Sequence, residues 1–141
     1  MDIIVKKQYS LRNQPYYRLL GLSVGLVDSD LQNLSFYSQR LQQANLKVWS
    51  AKDLFELAGL LNEETIDAVV FNPNIDKIEN ELQALRGFIA KNPYLPVITM
   101  AQTMQEMQID AIMKLGARLH INRDLSHPRD LLIALEQILT N

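Results

Sequence analysis

From residue 19 onward, short apolar runs alternate along the chain with longer stretches of helical period. Residues 19–27 read as a first strand, and Asp28-Ser29-Asp30 after it supplies acceptors suited to a helix N-cap. Leu31, Leu34, Tyr37, Leu41 and Ala44 recur at three- and four-residue steps, one face of a helix. Residues 46–49 predict a short second strand. Ser50 with Asp53 makes a capping-box pattern that opens a second helix, with Leu54, Leu57, Ala58 and Leu61 on its face. Residues 67–72 are a continuous apolar run between polar neighbours, which is how a strand buried on both faces reads. Ile78, Leu82, Leu85 and Ile89 mark a third helix, and residues 94–100 a fourth strand with Pro96 tolerated near its start. Thr103 with Glu106 predicts the cap of a fourth helix, which carries Ile109, Ile112 and Met113 and stops at Gly116. Residues 118–122 form the fifth strand. Ser126 is the expected cap of the last helix, with Pro128 in its first turn and Leu131, Leu135 and Ile138 facing inward.

Strands that alternate with helices imply a parallel sheet covered on both faces through right-handed crossovers. Ligand chemistry in such a sheet belongs at the carboxyl ends of the strands. That edge is Asp28-Ser29-Asp30, Asn72-Pro73-Asn74, Ala101-Gln102 and Arg123-Asp124.

Composition narrows the picture. The 141 residues are 48% hydrophobic and 21% charged, which fits one globular domain. There is no cysteine, so disulfides, thiolate metal sites and a cysteine nucleophile are excluded. The start of the chain does not read as a signal peptide, and the apolar run 19–27 is about half a membrane span, so a cytoplasmic protein is expected. Residues 1–18 carry Lys6, Lys7, Arg12 and Arg18 against Asp2 alone, while the remainder holds 10 basic and 15 acidic residues. A body of that balance does not suit nonspecific nucleic-acid binding. Residues 1–17 read as an N-terminal extension, either an added edge strand at Ile3-Ile4-Val5 with Asn13-Gln14-Pro15 as a turn or a disordered lead; residues 18–141 are the domain proper. Gly21-Leu22-Ser23-Val24-Gly25 is not a phosphate loop, because both glycines fall within the expected strand.

The spacing of these segments resembles the receiver domain of two-component response regulators. Val24-Gly25-Leu26-Val27-Asp28-Ser29-Asp30 looks like the family's first strand and acidic loop, and residues 66–72 look like its third strand. Leu95-Pro96-Val97-Ile98 resembles the start of its fourth strand, and Leu115-Gly116-Ala117-Arg118 its turn into the fifth. The resemblance implies a CheY-like, flavodoxin-like doubly wound sheet of five parallel strands in the order 2-1-3-4-5. It also implies a signalling module rather than an enzyme, since no catalytic constellation accompanies it.

The family's chemical positions are changed. Its acidic pair falls on Asp28 and Ser29, or on Asp28 and Asp30. Its phospho-acceptor aspartate falls on Asn72, its hydroxyl on Ala101, its lysine on Arg123 and its aromatic switch on His120. Phosphoryl transfer to a side chain needs a nucleophilic oxygen, and a neutral carboxamide is a poor one. Mg²⁺ prefers hard, mostly anionic oxygens, so a weak contact at Asp28 is the most this set offers and no cofactor is expected. Arg123 keeps a cation, as a planar fork, and is expected to pair with Asp28. These losses imply a phosphorylation-independent pseudo-receiver that acts through protein partners. Asp30 or Asp76 as a displaced acceptor is one alternative, and a nucleotide or anion sensor in the same crevice is another. In the family, helix four, strand five and helix five form the usual partner and dimer face. Resemblance therefore assigns candidate contacts to Met104, Met107, Gln108, Arg118, His120 and Arg129, in a stretch already rich in adaptable methionine.

Overall fold

The computed structural model describes residues 19–139. The expectations for residues 1–17 lie outside the described residues. Among those described, five strands alternate with five helices: β1 (Ser23–Asp28), α1 (Leu31–Gln43), β2 (Lys47–Ala51), α2 (Leu54–Leu60), β3 (Ala68–Asn72), α3 (Ile78–Lys91), β4 (Val97–Ala101), α4 (Glu106–Leu115), β5 (Leu119–Asn122) and α5 (Pro128–Leu139). Every strand pair is parallel, and the order is β2-β1-β3-β4-β5, as the resemblance implies.

The sheet's sidedness follows from the two-residue period of a strand. Val24, Leu26, Ala68, Val70, Ile98 and Met100 face one layer, where Tyr37 and Leu41 of α1 and Leu131 and Leu135 of α5 cover them. Val27, Val69, Phe71, Val97 and Ala101 face the other, against Leu54 and Leu57 of α2, Leu85 and Phe88 of α3 and Ile112 of α4. The three central strands β1, β3 and β4 are buried along their whole length, which is why they read as unbroken apolar runs.

Several boundaries differ from the sequence expectation, each for a local reason. The first strand begins at Ser23, four residues later than expected, because Gly21 takes a left-handed turn at φ 77° and donates its N–H to the Asn45 carbonyl. The expected Ser50 cap is part of β2; Asp53 alone caps α2, accepting the Glu56 N–H at 2.8 Å. At α4 the cap shifts to Gln105, whose N–H donates to the Gln108 carboxamide, and Thr103 is used elsewhere. At α5 the Asp130 carboxylate accepts the His127 N–H, while Ser126 donates its hydroxyl to the Asn122 carbonyl. Gly116 does end α4, at φ 116°.

Gly25 lets α2 approach the sheet. A Cβ there would stand 2.7 Å from a methyl of Leu57, a side chain with no exposure. Gly25→Val is therefore expected to destabilise the domain by about 1–3 kcal/mol through overpacking. Gly59→Ala, in α2 where a Cβ meets nothing within 4 Å, is the contrast and should stabilise by about 0.5–1 kcal/mol. Urea denaturation of both variants checks the pair, and equal effects would contradict the packing.

Candidate functional site

The topology makes one crevice at the sheet's carboxyl edge. The chain leaves β1 toward β2 on one side and β3 lies on the other, so the carboxyl ends of β1 and β3 flank the switch point. The register places Asp28 directly beside Asn72 as the last aligned pair of the two strands. Both are buried. A cleft of about 210 Å³ opens above them, lined by Asp28, Ser29, Asp30, Asn72, Gln102 and Arg123, with Asn33, Pro73, Asn74 and Ile75 completing its wall.

Asp28 has a partner on each oxygen. Oδ1 accepts the backbone N–H of Asp30 at 2.9 Å, and Oδ2 accepts the Asn72 side-chain amide at 2.8 Å. Burial pushes its carboxyl above the ordinary carboxylate value; the two hydrogen bonds and the Arg123 charge oppose that rise without cancelling it. Arg123 acts on Asp28 through its field. The expected pairing is not made: among the described residues no hydrogen bond or ion pair joins the two side chains. Asp28 takes its hydrogen bonds from Asn72 and the Asp30 N–H instead, which fix its carboxylate against the β1 and β3 ends and leave Arg123 to act at longer range. Arg123 Nη1 is instead buried without a hydrogen-bond partner. Tyr37 of α1, 7% exposed, lies close enough to feel the charges of Arg123, Asp28 and Asp124, and burial pushes its phenol pKa up. The sequence reading missed Tyr37 as a neighbour of the site because its helical period marked it as core.

The acidic edge is used for local structure. Asp30 caps α1, its carboxylate accepting the N–H groups of Gln32 and Asn33. Asp124 is exposed and accepts both the backbone N–H and the hydroxyl of Thr103, at 2.9 and 3.1 Å. Those bonds hold its carboxyl below the ordinary value and tie the β4–α4 loop to the end of β5. Thr103 is thus a loop tether. Asp76 is exposed in a short turn before α3 and does not line the cleft.

The receiver fold raises the question of Mg²⁺. Among the described residues no group of three or more His, Cys, Asp or Glu side chains gathers as a metal site. At the crevice the donors are one buried carboxylate with both oxygens engaged, a serine and carboxamides. Asn72 turns its N–H toward Asp28, a donor that repels a cation. This set does not fit a divalent ion that prefers several anionic oxygens.

Ala101 is fully buried and turned into the core, so it offers the crevice no hydroxyl. Two residues earlier on β4, Thr99 Oγ1 lies 2.7 Å from His120 Nδ1 and joins β4 to β5. His120 Nε2 is buried without a partner, and burial lowers the imidazole pKa. On the candidate partner face, Met107 is 80% exposed, and Arg118 and Arg129 are exposed. The other three candidates are less exposed. Met104 is 8% exposed and packs in the core; Gln108 is half-buried and caps α4; His120 is half-buried and bonded to Thr99. The structure adds Leu125, 84% exposed, between β5 and α5.

No family model matches the chain, and no curated protein matches it in sequence. Solved structures match throughout the described domain. A response regulator from Thermotoga maritima aligns at 22% identity with a TM-score of 0.75, covering 86% of this chain and 100% of its own. A CheY-like receiver domain protein from Methanospirillum hungatei aligns at 20% identity and TM-score 0.73, covering 85% and 94%. An orphan response regulator of H. pylori aligns at 14% identity and TM-score 0.71, covering 84% and 96%. With the strand order 2-1-3-4-5 and these alignments over most of the chain, the chain has the CheY-like fold of response-regulator receiver domains.

Proposed function

We propose that this chain is a pseudo-receiver: a regulatory module of two-component type that works by protein contact, independently of phosphorylation. The observation that carries the reading is the 2.8 Å hydrogen bond from the Asn72 amide to Asp28, made at the position where a receiver needs an ionised acceptor. A carboxamide there lacks the nucleophilic charge and satisfies the carboxylate that would otherwise face the metal. Ala101 withholds the hydroxyl that would read a new phosphoryl charge. The message then rests on a constant surface. Met107, Leu125, Arg118 and Arg129 on the α4–β5–α5 side expose soft apolar groups flanked by cations, a composition suited to a protein partner with acidic residues around an apolar patch. No described helix is long and apolar enough to cross a membrane.

The buried, unpartnered Nη1 of Arg123 beside the cleft favours a second reading, a small anion or nucleotide sensed in the same crevice. One experiment separates the two. The protein is incubated with acetyl phosphate and Mg²⁺, or with beryllofluoride, which activates the related DrrB receiver domain, and is followed by intact mass and thermal shift alongside a nucleotide panel. The pseudo-receiver reading expects no stoichiometric modification and no shift. A shift with nucleotides that disappears in Arg123→Gln supports the sensor. Stoichiometric phosphorylation overturns both.

Asp28 generates a pH-dependent prediction. Its folded-state pKa is raised. The stability it contributes is therefore present below the ordinary carboxylate value and is lost as pH rises through the raised one. Asp28→Asn keeps both hydrogen bonds if the Asn72 amide turns over, and removes the buried charge. The variant should melt higher than the parent near pH 7, with the difference closing as pH falls toward 3.8. Equal melting temperatures across the range would contradict the account of the site.

A further inference from the structure

We propose that a second copy of this chain docks on the face formed by α2 and α3, with Phe55 of each copy seated in a hollow of the other. Phe55 is 89% exposed on the outer side of α2. A free aromatic ring of this kind removes a large apolar area from water when covered. Phe55 forms one wall of a hollow of about 270 Å³ between α2 and α3, whose other walls are Ala58, Ala84 and Gly87 with the polar Gln83, Lys91 and Asn92 at its rim. Its floor is apolar, since Leu54 and Phe88 are 5% and 6% exposed and belong to the core. Its walls are kept low by small residues. Ala84, Gly87 and Lys91 follow one another at three- and four-residue steps along α3, and a Cβ built on Gly87 would meet nothing within 4 Å.

A projecting ring next to an apolar hollow on the same face is what a two-fold axis requires, because each copy then offers both halves of the contact. Charge favours a second copy over an unrelated apolar partner. Glu56 adjoins Phe55 on α2, whereas α3 after Glu81 carries Arg86 and Lys91 and no acid. Seating Phe55 in the hollow brings Glu56 toward the partner's Lys91, and the symmetry makes that pairing twice. One ring and one hollow per copy make a small contact, so a weak dimer is expected. It leaves the α4–β5–α5 side uncovered, so its failure and that of the partner reading above are separable.

Sedimentation equilibrium of the full chain from micromolar to about 1 mM tests the proposal. A concentration-dependent dimer is expected, weakened roughly tenfold or more by Phe55→Glu, in line with loss of a central aromatic anchor. Gly87→Met fills the hollow in open space and should abolish the dimer while circular dichroism remains native. Glu56→Lys should weaken association, and adding Lys91→Glu to it should restore association, while Met107→Glu leaves it unchanged. A monomer throughout the range overturns the proposal. So does a dimer indifferent to Phe55→Glu, or one that the charge swap fails to restore.

Discussion

Asp28 and Asn72 end the β1–β3 ladder side by side, and the hydrogen bond between their side chains is the point on which the chemistry of the domain turns. A parallel register allows no local escape: sliding β3 by one residue would reverse every side chain between the two cores. Val69 and Phe71 must face α2 and α3, and Val70 must face α1 and α5, so Asn72 is delivered beside Asp28 by packing. The residue type then decides what the crevice can do. A carboxylate at that place would repel Asp28 and call for a cation. The carboxamide donates to Asp28 and leaves a near-neutral cradle.

The rest of the edge follows the same logic. Acidic groups that might have faced an ion are committed to the backbone. Asp30 caps α1, and Asp124 holds the β4–α4 loop through Thr103. Arg123 remains as the crevice's cation, lowering the cost of an ionised Asp28 through its field. Beneath the edge, Thr99 and His120 are joined across β4 and β5. The polar groups of the crevice are therefore engaged with one another and with the backbone.

Much of this was legible in the sequence because strong signals coincided. Continuous apolar runs marked the buried strands, helical period marked the covering faces, and together they placed Asp28, Asn72, Ala101 and Arg123 on one edge. What the sequence left obscure depended on which of several polar neighbours wins a hydrogen bond. Ser50, Thr103 and Ser126 all looked like caps, yet Asp53, the Gln105–Gln108 pair and Asp130 do that work, because the strands run on or the loops need the hydroxyl elsewhere. Arg123 looked like a partner for Asp28, but a carboxylate already bonded by Asn72 and the Asp30 N–H holds it only at a distance. Met104 and Met107 are three residues apart and look alike as letters. One lies in the core before α4 begins and the other stands in solvent on its outer face.

The central claim is that the Asn72–Asp28 hydrogen bond removes the metal cradle a receiver needs. Titration of isotopically labelled protein with Mg²⁺, followed through the backbone amides of Asp28, Ser29, Asp30 and Asn72 and the Asn72 side-chain amide, tests it most directly. The account predicts no saturable change at these groups up to about 10 mM, a range in which Mg²⁺ held by several anionic oxygens would register. Saturable shifts centred on Asp28, with loss of the Asn72 side-chain amide's hydrogen-bonded signal, would contradict it.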